Sequence, residues 1–203
     1  MKKPIIIVTL AAAGAFLLAG CGSLKVDSNT ISVQKNGKIM EGLVEDFSKE
    51  YYDEEELKAY IDQSVEDYAA ENEKGDVKVS GYKVEDQKAY LTLKYKNTDS
   101  YGKFNGVDIF NGTIVKAQAE GYDFDASFTK VEDGEAKGSA DTKEVTSDDK
   151  LNVLILRENM NIIVPGTIQY VSADGVKVTA KDTVEIEQKS DTAVAPVVYV
   201  IYK

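Results

Sequence analysis

Residues 53–75, DEEELKAYIDQSVEDYAAENEKG, carry the clearest structural signal in the chain. The Asp53 carboxylate can accept from a backbone N–H in a helix's first turn, and Glu56, three positions on, can reach back to complete a capping box. Leu57, Tyr60, Ile61, Ser64, Val65, Tyr68 and Ala69 then recur at helical spacing on one face. Glu54, Glu55, Lys58, Asp62 and Glu66 occupy the other face, and Gly75 stands where the chain leaves the helix. The spacing predicts a helix of about 20 residues, roughly 30 Å long. A helix with one apolar stripe and one charged back packs on a sheet rather than inside a bundle. The expected fold class is therefore α+β: one long amphipathic helix packed on antiparallel β-sheet, with a β-rich C-terminal half.

The flanking sequence supplies the strands. Ile31 and Val33 alternate with Ser32 and Gln34 before Asn36-Gly37, a hairpin dipeptide that would set Val33 opposite Met40, with the return strand running through Leu43 to Phe47. Val77 and Val79 point one way and Tyr82 and Val84 resume out of phase, which predicts a bulge at Ser80-Gly81. Beyond a polar turn at 85–88, Ala89, Leu91, Leu93 and Tyr95 alternate with Tyr90, Thr92, Lys94 and Lys96 as a half-buried strand. Thr98 to Asn105 reads as a short helix with Tyr101 and Phe104 inward and Gly106 just past its end. Asn111-Gly112 is a second hairpin signal, with Ile109 opposite Ile114.

Residues 132–150 contain seven acids, three lysines, two glycines and a single large aliphatic side chain, Val145, so this stretch is expected to be a mobile acidic loop. The remainder reads as antiparallel β. Leu151 to Leu156 is an apolar run, Pro165-Gly166 suits a type II turn, and Asp174-Gly175 suits a hairpin joining Ile168 to Ala173 with Val176 to Ala180. Val184 and Ile186 alternate with acids. Val197 to Tyr202 is apolar on both faces, which predicts a strand inside the sheet or covered on both sides.

The beginning of the chain has a different character. Met1, Lys2 and Lys3 supply positive charge, Ile5 to Leu18 form an uncharged apolar run, and Leu18, Ala19, Gly20 and Cys21 close it. Fourteen residues at the helical rise reach roughly 21 Å, short of the ~30 Å hydrocarbon layer of a bilayer. The pattern is that of a targeting segment. It resembles a bacterial lipoprotein signal peptide, with Leu18 to Cys21 as the lipobox. That resemblance implies cleavage before Cys21, a diacylglycerol thioether on its sulfur, and a mature protein anchored at the outer, extracytoplasmic face of a cell membrane. Two acyl chains anchor stably where one binds marginally. The implied organisation is a signal peptide at 1–20, a lipidated tether at 21–29 and a single α+β domain at 30–203. The gross features also resemble small uncharacterised lipoproteins of Gram-positive bacteria.

Composition narrows the chemistry. Two of the 24 basic residues lie in the leader, so the rest of the chain sets 22 lysines and arginines against 35 acids, a formal charge of −13. That balance repels nucleic acid and anionic lipid. Cys21 is the only cysteine, which leaves no disulfide or thiolate cluster within one chain. The absence of histidine excludes Ser-His-Asp and Cys-His catalysis and the common zinc sites.

Motifs that could carry chemistry meet specific objections. Ser32, Ser80, Ser100, Ser127 and Ser147 each precede a lysine by three, the spacing of the Ser-x-x-Lys nucleophile of penicillin-recognising enzymes, but the companion Lys-Thr-Gly is missing. An EF-hand counted from Asp123 and Asp125 would put Phe128 where glycine is needed and Gly134 where the bidentate glutamate belongs. Asp148 with Asp149, or the run Asp53 to Glu56, would serve as a glycosidase couple only if two carboxylates faced each other across ~5 to 9.5 Å. Tyr60, Tyr68 and Tyr95 fall on expected core faces, whereas Tyr51, Tyr52, Tyr101 and Tyr122 lie near loops, where tyrosine contacts glycans or proteins. No catalytic residue, cofactor or metal is assigned. The expectation is a non-catalytic binding or envelope-associated protein that meets an extracellular protein or glycan and is anchored to the membrane through Cys21. The alternative is a carboxylate-dependent hydrolase acting on envelope or extracellular glycan.

Overall fold

A computed structural model describes residues 24–186 and 195–203. The expected signal peptide and Cys21 lie outside the described residues. Along the chain the elements are β1 (Thr30–Val33), β2 (Ile39–Asp46), α1 (Glu54–Glu71), β3 (Val77–Glu85), β4 (Lys88–Tyr95), α2 (Thr98–Asn105), β5 (Ile109–Thr113), α3 (Ile114–Ala119), β6 (Phe128–Glu132), β7 (Glu135–Ala140), α4 (Thr142–Val145), β8 (Asn152–Leu156), β9 (Asn161–Ile163), β10 (Ile168–Ser172), β11 (Val176–Ala180), β12 (Thr183–Ile186) and β13 (Val198–Tyr202). Seven strands form one sheet in the order β11-β12-β9-β1-β2-β4-β3, and six form a second in the order β5-β8-β13-β10-β6-β7.

This arrangement corrects the expected fold class. Strand outweighs helix, 42% against 21%, and the architecture is a β-sandwich-like pair of sheets rather than one long helix on a sheet. The helix expected from residue 53 does form, and the Asp53 carboxylate accepts from Glu56 N at 2.9 Å. It does not organise the core. Ile61 is its one buried residue, Tyr60 is 59% exposed, and α1 lies against the edge strand β3, where the Tyr82 hydroxyl donates to Glu54 O. The physical reason is the partner available to each sheet: the two sheets bury much of their apolar faces on one another, so the helix adds only a margin to that core, through Val65 and Tyr68, beside the edge strand.

The second sheet is apolar on both faces. Leu154, Leu156, Val198, Val200 and Tyr202 join Ile31, Val33, Ile39, Leu93 and Ile162 of the first sheet in the core between the sheets. The alternate residues Val153, Ile155, Tyr199 and Ile201 face the other way, into a second cluster closed by Ile114 and Ala117 of α3, Val145 of α4 and Phe124 of the loop before β6. The double alternation explains why β13, all of it buried, is hydrophobic throughout and lies between β8 and β10 as expected.

Several local expectations shift. The first hairpin pairs Val33 with Ile39 rather than Met40, because Gln34 N donates to Lys38 O and Gly37, at φ 78°, closes a three-residue turn. Asn111-Gly112 makes no hairpin. Both residues continue β5, opposite Leu154 and Val153, and the absent side chain of Gly112 makes room for the Phe110 ring. Asp174-Gly175 joins β10 of one sheet to β11 of the other, so it is a crossover between layers. At Pro165-Gly166 the glycine lacks the positive φ of a type II turn. It is needed because a Cβ there would stand 2.2 Å from Lys203 O, which accepts from Thr167 N. The bulge at Ser80-Gly81 and the helix α2, ended by Gly106 in the left-handed region, form as expected.

Two stretches expected to lack structure of their own are built into the fold. Residues 132–150 supply β7, paired with β6, and α4, whose Val145 is fully buried and gives the acidic run an apolar anchor. The described part of the expected tether, 24–29, lies on the first sheet. Thr92 Oγ1 donates to Leu24 O at 3.5 Å, Asn161 Nδ2 to Ser28 Oγ at 2.8 Å, and Val44 N to Asn29 Oδ1 at 2.7 Å.

Candidate functional site

The alternation of β2 sends Ile39, Glu41 and Leu43 inward, which buries a carboxyl group: Glu41 is 4% exposed. Five side chains gather around it. The Tyr95 hydroxyl, from β4, donates to Glu41 Oε2, and Asn105 Nδ2, from α2, donates to the Tyr95 oxygen at 3.3 Å. The Tyr101 hydroxyl, also from α2, lies 3.3 Å from Glu41 Oε1 and 2.6 Å from Glu158 Oε2, with the Met160 sulfur at 3.5 Å. Glu158 arrives on the loop that carries the chain from β8 in the second sheet to β9 in the first. The cluster thus ties α2 and an inter-sheet crossover to the first sheet.

Its hydrogen bonding depends on its charge state. Tyr101 has one hydroxyl proton and two carboxyl neighbours, and the shorter contact assigns that proton to Glu158. The contact to Glu41 is then a hydrogen bond only when Glu41 carries a proton and donates it to the tyrosine oxygen. Burial, opposed by the Tyr95 hydrogen bond and assisted by the charge of Glu158, pushes the Glu41 carboxyl up to about 7. Burial also raises Glu158, and burial followed by the Glu41 charge raises the hydroxyls of Tyr95 and Tyr101.

Two other surfaces offer shape. An open cleft of about 390 Å³ lies alongside α2, between Asp99, Lys103, Val107, Asp108 and Tyr122, with Lys103 Nζ 2.9 Å from Asp99 Oδ2. After β2, Phe47 and Tyr52 pack with ring centroids 5.2 Å apart, and Tyr51 meets Tyr52 edge-on at 5.0 Å. Tyr51 is 78% exposed and Tyr52 42%. Burial, then neighbouring Tyr51, and then the charges of Asp46 and Glu45 raise the Tyr52 hydroxyl.

The residues singled out in the sequence scatter. Tyr51 and Tyr52 are exposed, but Tyr101 is fully buried and Tyr122 is half-buried in the cleft. Of the tyrosines expected inside, Tyr95 and Tyr68 join the core and Tyr60 does not. The Ser80 hydroxyl donates to Thr92 O, Ser100 caps α2, and Ser147 donates to Glu144 O, so these hydroxyls serve local backbone. Asp123 Oδ1 accepts from Asp125 N, and Asp148 Oδ1 from Lys150 N, each within a tight turn. Among the described residues no three potential metal-binding side chains converge. The carboxyl pair that the fold does assemble, Glu41 with Glu158, was missed by motif reading. Its one signal was a glutamate in the inward phase of β2. Comparison of the chain with protein-family models, curated proteins and solved structures finds no match.

Proposed function

We propose that the chain is a lipoprotein of the extracytoplasmic membrane face, anchored through a diacylglyceryl group on Cys21, whose domain binds envelope glycan without transforming it. The observation that carries the binding reading is the aromatic group Phe47, Tyr51 and Tyr52. Its two tyrosines are adjacent, exposed and mutually packed, so their rings are ordered before any partner arrives. Aromatic faces stack on the C–H faces of sugars, and the neighbouring Asp46 and Glu45 supply acceptors for sugar hydroxyls. The hydrolase alternative asks for two acids open to a substrate, and the Glu41 member of the assembled pair is closed to solvent.

Two measurements test the proposal. Replacing Cys21 by Ala should abolish labelling by a fatty-acid probe, and unchanged labelling would refute the anchor. Titration with soluble cell-wall glycan fragments, followed by tyrosine fluorescence, should show saturable binding that the Tyr51→Ala, Tyr52→Ala double variant weakens at least tenfold. Its melting temperature should hardly move, because exposed positions contribute within about 0.5 kcal/mol of stability. Equal affinity in the double variant would remove the aromatic group from the reading.

A further inference from the structure

We infer that the outer face of the β2-β4-β3 corner of the first sheet is turned toward the bilayer and docks on anionic phospholipid headgroups. The inference rests on the lipoprotein reading above and adds an orientation and a lipid chemistry to it. Cross-strand pairing fixes which side chains share this face: Lys78 opposite Lys94, Lys83 opposite Tyr90, Glu85 opposite Lys88, and on β2 Met40, Gly42, Val44 and Asp46. Four lysines therefore stand against two acids on this face, in a chain whose formal net charge is −11. Lys83 pairs with Glu85 and also lies 4.6 Å from the Tyr90 ring centroid. The overall charge predicts repulsion from anionic lipid, but the fold gathers cations onto one patch, and within a Debye length the patch rather than the total sets the interaction.

The anchor's attachment point selects the same face. Gly42 leaves space for the chain to cross it: a Cβ at Gly42 would fall 2.6 Å from Val26 Cγ2 and 3.4 Å from Leu24 Cδ2. Thr92, which pairs with Gly42, holds the Leu24 carbonyl. Leu24 is thus fixed on the lysine-bearing face, and it is only three residues from Cys21. Three residues span at most about 11 Å. A lipid on Cys21 therefore brings this face, and not the α3 and α4 side of the second sheet, to the headgroup layer.

The test uses the full lipidated protein reconstituted into vesicles of phosphatidylcholine with or without phosphatidylglycerol. A water-soluble amine reagent is applied and each lysine is read by mass spectrometry. Modification of Lys78, Lys83 and Lys88 should fall several-fold on the phosphatidylglycerol vesicles relative to Lys143 and Lys150, which lie on the far side, and high salt should restore it. Equal modification on both vesicle types, or protection of Lys143 and Lys150 instead, would overturn the orientation. The intact mass of the same sample separates the two failures. An unmodified Cys21 refutes the anchor and the orientation together, whereas a diacylated Cys21 with evenly labelled lysines refutes the orientation alone.

Discussion

A carboxyl group with almost no access to water makes stability depend on pH with a definite sign. Glu41 titrates near the ordinary 4.5 when unfolded and near 7 when folded, so both states hold the proton below pH 4.5 and stability is then fully present. As pH rises from there to about 7 the unfolded chain releases the proton first, and stability falls by an amount on the order of 3 kcal/mol. Glu158, also raised, adds a slope of the same sign. Glutamine mimics the protonated acid, so Glu41→Gln should leave the melting temperature at pH 4 nearly unchanged and raise it at pH 8. Melting curves across that range check this, and a wild-type profile flat between pH 5 and 8 would contradict the proton assignment. A second residue-scale contrast concerns two glycines at close approaches. An added methyl at Gly166 meets the Lys203 backbone, whereas at Gly42 it meets side-chain atoms of Val26 and Leu24, on a segment that is not a strand of the sheet. Gly166→Ala should therefore cost about 1–3 kcal/mol and Gly42→Ala clearly less, by denaturant unfolding.

At the scale of elements, what could be read from the sequence depended on whether a signal was local. Capping and periodicity are local, and α1, α2, β4 and the Ser80-Gly81 bulge stand where spacing placed them. Turn dipeptides were less informative, because a glycine serves packing as readily as a turn. Gly112 accommodates a ring and Gly166 a backbone, and neither reports its reason in sequence. The weight of α1 was overread for a related reason: an amphipathic pattern states which face is apolar but not how much competing apolar surface the strands offer each other. Residues 132–150 were underread because composition averages away a single anchor. That anchor is testable. Val145→Ala should destabilise the protein by about 2 kcal/mol and open the segment to proteolysis at Lys143 and Lys150, while the wild type resists. The carboxyl–tyrosine cluster was the least legible feature, since Glu41, Tyr101 and Glu158 come together only through the crossover from β8 to β9.

At the scale of the molecule, one apolar layer is common to both sheets, and the connections β8 to β9 and β10 to β11 pass from one sheet to the other. Neither sheet retains its inner face alone, so thermal unfolding should be a single transition, with amide and tyrosine signals coincident. Two separated transitions would show that the layers are independent. The placement of β1 has a mechanical consequence. Any pull on the chain from its amino-terminal side, once the contacts of residues 24–29 have given way, reaches Thr30–Val33, a strand bonded to β2 on one flank and, running parallel, to β9 on the other. Such a strand cannot be peeled off one hydrogen bond at a time, as an edge strand can. It must slide out between two neighbours that resist together, so tension from that end meets the sheet in shear, where it is strongest.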